Sequence, residues 1–465
     1  MKRVLRWTGV ALLALVILAV ALWAIAFAVN SKDEELSPQA RALLTLPPLP
    51  YRPDENLYVA FAGFDAPPGG SVTAYGQAKI DYYHENLEAA LRAPTEMRYF
   101  YIVREDPRHL TFKGDVKFVH PANASVWDEV PAHAREIAAL LADNRELYRR
   151  YLSLPGLRGY YETARPSILA PVYTVPNPLR KLFLAAEALR LRAGAAPGRG
   201  GLDELEADVR LWRTVLTGEG TLISKMIALA GLQADYLLFA DMIADPQATV
   251  PLADQDADAV APPFEPKTWN IGPVFAAEFR LASTVFNQTD ATWGQRDRGP
   301  LRPLSNWVAA RFFKLNATEN LLARQTERQI AAAADPTLFR STRDQPGVWL
   351  PEGPSVWLFP FSYNPFGKTL VAVATPLGDD YVLRAWDGAA LQRAVRLGYE
   401  IRRRRIGAPD IPGFMAQHPN WSTHPADGHA FSWDPAHLEI RVQPLSRQQQ
   451  DRRFSIHVWQ PPGHP

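Results

Sequence analysis

The chain has 465 residues, 47% hydrophobic and 21% charged, with 50 basic against 49 acidic side chains. That composition excludes disorder over the bulk of the chain, and a net charge of +1 leaves no basic footprint for nucleic acid. Cysteine is absent, so no disulfide holds the fold, while 41 prolines divide it into short pieces.

The first element is Trp7–Val29, 23 residues without a charge. As a helix it spans about 34 Å, against roughly 30 Å for a bilayer core. Lys2, Arg3 and Arg6 precede it; Asp33, Glu34 and Glu35 follow. The positive-inside bias predicts a cytoplasmic N-terminus in a bacterial inner membrane, with a single pass and residues 30–465 in the periplasm. A cleaved signal peptide competes, since Ala26-Phe27-Ala28 has the small-x-small pattern. The length of the apolar run and the bulk of Trp23 oppose cleavage. Both readings export the rest.

Residues 30–54 read as a polar, proline-stiffened stalk holding the body off the lipid. Residues 56–64 form an apolar run before a Pro-Gly turn, compatible with a strand or a buried helical turn. Residues 75–91 and 128–152 carry helical periodicity, with weak strand candidates at 99–103 and 116–119. A helix over 179–192 follows. Residues 202–216 and 221–244 make an αα-hairpin about Gly218-Glu219-Gly220, and the second is apolar nearly all round, hence buried. The acidic, proline-rich stretch 246–267 is the best linker or long loop. Helical patterns return over 269–286, 304–334 and 387–405. Residues 344–368 form a proline-broken aromatic loop. Alternation at 430–433, 438–442 and 454–459 predicts a small sheet.

The expected fold is mainly α: an N-terminal transmembrane helix, an α-helical periplasmic body with αα-hairpins, and a small C-terminal antiparallel β-sheet. Its expected divisions are an anchor at 1–29, the stalk at 30–54, a helical region at 55–245, the linker at 246–267 and a second helical region at 268–465. A single domain built from both helical regions is the alternative. No tandem repeat recurs.

Chemistry-bearing motifs are sparse. Gly367-Lys368-Thr369 lacks the first glycine of a phosphate loop, whose place Ser362 holds. His418, His424 and His429 crowd beside Asp427 but match no zinc spacing, so no metal is expected, nor any other cofactor. There is no GxSxG and no SxxK. Glu85 with Glu88, or Asp203 with Glu206, supply carboxylates for a hydrolase, although helix-face and capping roles are their default. Lys225 and Asp235 interrupt the apolar 221–244 helix as a polar pair in a pocket or as charges compensated by a neighbouring helix. Arg402, Arg403, Arg404 and Arg405 form a basic run suited to anionic lipid, an acidic partner or the helix dipole. Trp349, Trp357, Phe359 and Phe361 in the aromatic loop are the candidate partner contacts.

Arg210-Leu211-Trp212, Leu222-Ile223-Ser224-Lys225-Met226, Asn144–Tyr151, Asn364-Pro365-Phe366-Gly367-Lys368 and the Asp427-Gly428…Trp433-Asp434 stretch resemble a family of membrane-anchored envelope proteins of Gram-negative bacteria. The resemblance implies an anchor and a helical periplasmic body, without an assigned activity. Members of that family often carry a cysteine pair near the region here occupied by 113–127, which this chain lacks. The leading expectation is a non-enzymatic binding or scaffolding component of the envelope, with the inner membrane and envelope proteins as partners. The alternative is a periplasmic hydrolase of cell-wall glycan or peptide using a carboxylate pair.

Overall fold

Among the described residues two helices are long and apolar enough to cross a membrane, Trp7–Val29 and Leu222–Ala244, and their surroundings separate them. The apolar window of the first is 6% buried within the protein, that of the second 83%. Leu222–Ala244 therefore serves as the core helix, its apolar faces covered by protein. It packs on Asp203–Thr217 and on Gly378–Arg404, and Gly231 lets Trp212 come close: a Cβ there would stand 2.6 Å from the indole.

The computed structural model describes residues 2–93, 97–99, 106–119, 124–194, 201–248, 258–295, 310–335, 362–374, 378–447 and 454–459. Within them the fold is mainly helical, with a three-stranded antiparallel sheet near the C-terminus and the apolar helix at the N-terminus. One hydrophobic cluster runs from Leu57 to Val458, so segments on either side of 246–267 share a core. Strands β1 (Ser432–Asp434), β2 (Glu439–Arg441) and β3 (Ser455–His457) pair in that order, with Ile440 opposite Ile456 and both buried. Asp387 ties the sheet's flank to Gly378–Arg404 by accepting from Leu445 N at 2.7 Å and Ser446 N at 3.0 Å.

The N-terminal helix is seated on the body. Phe312 packs against Phe27 and Trp23 with ring centroids 5.2 and 5.9 Å apart. The buried Asn30 donates to Ser362 O at 3.1 Å and accepts from Asn364 N at 2.7 Å. Asp33 accepts from Asn316 N and Ala317 N at 2.9 and 3.1 Å, in the first turn of Leu315–Ala334, where a carboxylate favours the helix dipole. Helix Pro38–Leu44 then buries Ala40 in a smaller cluster with Phe279, Phe286, Phe313 and Leu322. The segment expected to stand off as a stalk is thus laid onto the body, because its polar side chains complete helix starts there.

Several local expectations give way to contacts from afar. Residues 128–152 are not one helix: a 3-10 turn at Val130–His133 precedes Ala134–Asp143 and Arg145–Ser153. Asn144 sits at the break, its amide bonding Lys113 N and O at 2.7 and 2.9 Å. Residues 56–64 resolve as helix Leu57–Ala62, capped by Asn56. No strand forms at 116–119, where Val116 and Val119 are buried in irregular chain. Of 99–103, Tyr99 is helical and the rest lies outside the described residues. Helical periodicity over 269–286 becomes the turn Pro266–Trp269 and helix Val274–Gln295, separated where Asn270 Oδ1 accepts from Gly272 N at 2.8 Å. Helix Leu315–Ala334 starts after Lys314 N turns to Asn364 Oδ1 at 2.9 Å.

Candidate functional site

The turn from Asp203–Thr217 into Leu222–Ala244 is pinned by a short parallel bridge. Glu162 N donates to Glu219 O at 3.0 Å, and Glu219 N to Tyr160 O at 3.2 Å. This brings the Glu162 side chain over the start of the core helix. Its Oε1 accepts from Tyr160 OH at 2.8 Å, from Thr221 Oγ1 at 3.1 Å and from Ser224 Oγ. Gly220 leaves room for this carboxylate: a Cβ there would lie 2.8 Å from Glu162 Oε1 and would push the side chain aside.

Glu278 enters from Val274–Gln295, its Oε1 accepting from Leu222 N at 2.8 Å. It thereby satisfies an amide at the N-terminus of the core helix. Burial pushes its carboxyl up, the Leu222 hydrogen bond pulls it down, and the neighbouring Glu162 charge pushes it up again. The net shift is upward. Lys225 stands behind Glu162 with Nζ 5.5 Å from the Tyr160 ring centroid, donating to Val215 O at 2.7 Å and to Gly218 O. Burial lowers its ammonium to about 8 against the pull of Glu162 and Glu219. Burial likewise raises the Tyr58 and Tyr160 hydroxyls well above their usual range.

Tyr58, Glu162, Thr221, Ser224 and Glu278 line a cleft of about 1230 Å³ whose walls are mostly apolar, with Tyr160 and Lys225 behind them. Phe275, Phe279, Phe286 and Leu322 form one side, Tyr58, Tyr161 and Tyr173 another. At its mouth stand Leu46, Leu49, Ile168, Val172 and Ile223, each 50–64% exposed. The 46–49 segment is held there by Tyr161 OH, which donates to Pro47 O at 2.9 Å. Arg280 pairs with Glu219 and reaches Leu43 O at 3.3 Å, so its charge is already met. Arg384 lies near Asp380 at 3.7 Å and over the Tyr381 ring. Phe279, Phe286 and Leu322 also belong to the cluster that holds Pro38–Leu44, next to the foot of the N-terminal helix.

Lys225 and Asp235 have separate partners. Lys225 meets backbone carbonyls beside the cleft; Asp235 pairs with Arg180 of Asn177–Arg192 at 3.0 Å inside the core. Arg402 points inward, donating to Met242 O, Ile243 O, Asp245 O and Ala248 O, the carbonyl end of the core helix. Arg403 and Arg404 pair with Glu400, and Arg405 is exposed at a φ of 53°. Trp349, Trp357, Phe359 and Phe361 lie outside the described residues. His418 stacks on Trp421 at 4.9 Å; buried His424 bonds Asp387 at 3.2 Å; His429 pairs with Asp427 at the surface. Among the described residues no group of three or more His, Cys, Asp or Glu is placed to hold a metal. Glu85, Glu88 and Asp203 are exposed, Glu206 is half-buried, and none lines the cleft.

Glu162, Glu278, Leu46, Leu49, Ile168 and Val172 were not singled out by sequence, and Ile223 and Ser224 entered only within a stretch that carries the resemblance. Glu278 shares the otherwise apolar run VFAAEFRLA with Arg280 alone, which is the one signal that marks it. The chain matches no family model, no curated protein and no solved structure.

Proposed function

We propose that this chain is a membrane-tethered envelope protein that takes an apolar chain into the cleft beside Glu162 and Glu278, without chemistry. The observation that carries the reading is the rim. Leu46, Leu49, Ile168, Val172 and Ile223 come from separate segments, yet gather exposed at the mouth of one apolar cleft. Scattered surface leucines are ordinary, but a contiguous patch round a concavity marks a binding site. The N-terminal helix is the tether, a reading supported by Trp23 and Phe27, both before the end of the cleavage pattern, packing on Phe312, and it is oriented by Lys2, Arg3 and Arg6 with residues 30–465 in the periplasm. The resemblance to anchored Gram-negative envelope proteins agrees with this.

The absence of cysteine makes a direct test simple. An Ile223→Cys variant of the full chain, in phosphatidylcholine nanodiscs, carries one environment-sensitive dye. Titrated decanol shifts its emission to the blue and saturates, whereas a dye at Arg405→Cys shows only the linear response of partitioning. A linear response at both positions contradicts the reading.

A hydrolase is the second reading, favoured by one observation: a buried carboxyl raised beside a second carboxylate in a cleft, the pattern of an acid and its partner. Its substrate would be cell-wall glycan or peptide. Turnover of such material that disappears in Glu278→Gln, with decanol binding intact, would establish it.

A further inference from the structure

The charges along the cleft are unevenly matched. Glu219 has Arg280, and Asp380 has Arg384. Glu162 has the Lys225 ammonium behind it, but that ammonium is spent on the carbonyls of Val215 and Gly218. Glu278 has no cationic partner among the described residues: its protein contact is the Leu222 amide on Oε1. Both carboxylates keep one oxygen clear of the hydrogen bonds given above. On Glu162 the three hydroxyl donors all reach Oε1. The lining's other cation, Arg165, is exposed and forms no ion pair with either carboxylate among the described residues, so the pair set in the apolar wall has one negative charge in excess of the single ammonium beside it. In a low-dielectric wall that excess is relieved by a proton or by a cation that arrives with the ligand.

We propose that the cleft selects membrane-derived amphiphiles whose apolar chain ends in a protonated amine, with the ammonium lodged between Glu162 and Glu278. This rests on the apolar-chain reading above. An ammonium offers three donors, enough to meet both open carboxylate oxygens, and charge-assisted hydrogen bonds of this kind are the strong ones. An anionic headgroup meets repulsion there, and an alcohol supplies one donor and no charge. The cleft shares Phe279, Phe286 and Leu322 with the cluster that seats the segment leaving the N-terminal helix. That continuity points to the adjoining bilayer as the source.

The test uses three photoreactive probes of equal chain length, each bearing a diazirine in the chain and ending in an amine, an alcohol or a carboxylate. They are presented to the full chain in nanodiscs of phosphatidylcholine, a lipid without a primary amine, and labelled peptides are mapped by mass. The amine probe labels the peptides holding Val172 and Ile223 about tenfold more than the alcohol, the worth of one charge-assisted contact. Within Glu278→Gln the amine probe labels no more than the alcohol probe, and thermal melting of the variant reports whether the fold is intact. Equal labelling by all three probes, or an amine preference that survives both Glu278→Gln and Glu162→Gln, overturns the proposal while leaving the apolar-chain reading in place. If no probe labels the cleft, that underlying reading fails too. Displacement of the label by an apolar lysine-bearing peptide, without amine selectivity among the amphiphiles, assigns the cleft to a protein partner and also overturns the proposal.

Discussion

Arg180 and Asp235 meet at 3.0 Å in the middle of the helical core, and a second carboxylate, Asp208, stands 3.9 Å from the same guanidinium. Tyr151 OH and Trp212 Nε1 donate to Asp208 at 2.5 and 3.2 Å, so four helices converge on the group. Two buried carboxylates share one positive charge. Arg180→Met removes that charge and is expected to cost about 3–5 kcal/mol, the usual penalty for stranding buried charge. Asp235→Asn costs far less, since it removes the excess. Denaturant midpoints of the two variants check the order.

The same group predicts a pH dependence. Burial and the neighbouring Asp208 raise the Asp235 carboxyl well above its usual value, despite Arg180. A carboxyl raised on folding binds more protons in the folded than in the unfolded chain, so its contribution is greatest in acid and declines as pH rises. Relative to Asp235→Asn, the wild-type chain therefore loses stability as pH rises from about 4, near the unfolded value, towards the raised folded value. Parallel stability profiles for the two proteins would contradict this.

Lys225 has the opposite sign. Its ammonium is lowered to about 8 by burial, so the unfolded chain holds the extra proton between there and the ordinary value of 10.5. Across that window wild-type stability gains with rising pH relative to Lys225→Met. Unfolding free energies of both proteins at pH 7.5 and pH 9.5 give the comparison.

Arg402 and Arg405 separate structure from surface within one basic run. Arg402→Ala strips the donors from the carbonyl end of the core helix and is expected to cost about 2–3 kcal/mol. Arg405→Ala stays within about 0.5 kcal/mol. Thermal melting of the pair reports the difference, and equal shifts would count against an inward role for Arg402.

Gly231→Ala sets a methyl 2.6 Å from the Trp212 ring, with helices on both sides. The expected loss is about 1–3 kcal/mol, read from the denaturation midpoint.

The elements legible in the sequence were those whose information is local. Leu222–Ala244 announces its burial by being apolar all round, and the alternation at Trp433, Ile440 and Ile456 announces the sheet. The helix breaks were not legible, because Asn144 and Asn364 act on the backbone of distant segments, at Lys113 and Lys314. The cleft was hidden for the same reason. Glu162 follows Tyr160-Tyr161 in a loop and Glu278 lies on a helix far along the chain, with no spacing to join them. The rim residues each look like an ordinary exposed leucine, isoleucine or valine until the fold gathers them.

The central claim is that the cleft holds an apolar chain, and the most direct measurement is native mass spectrometry of the full chain recovered from the cells that make it. The account predicts a one-to-one adduct of a chain-bearing amphiphile on the wild-type protein, lost when Val172→Glu and Ile223→Glu charge the rim. A bare wild-type mass, or the same adduct on the doubly substituted chain, would contradict it.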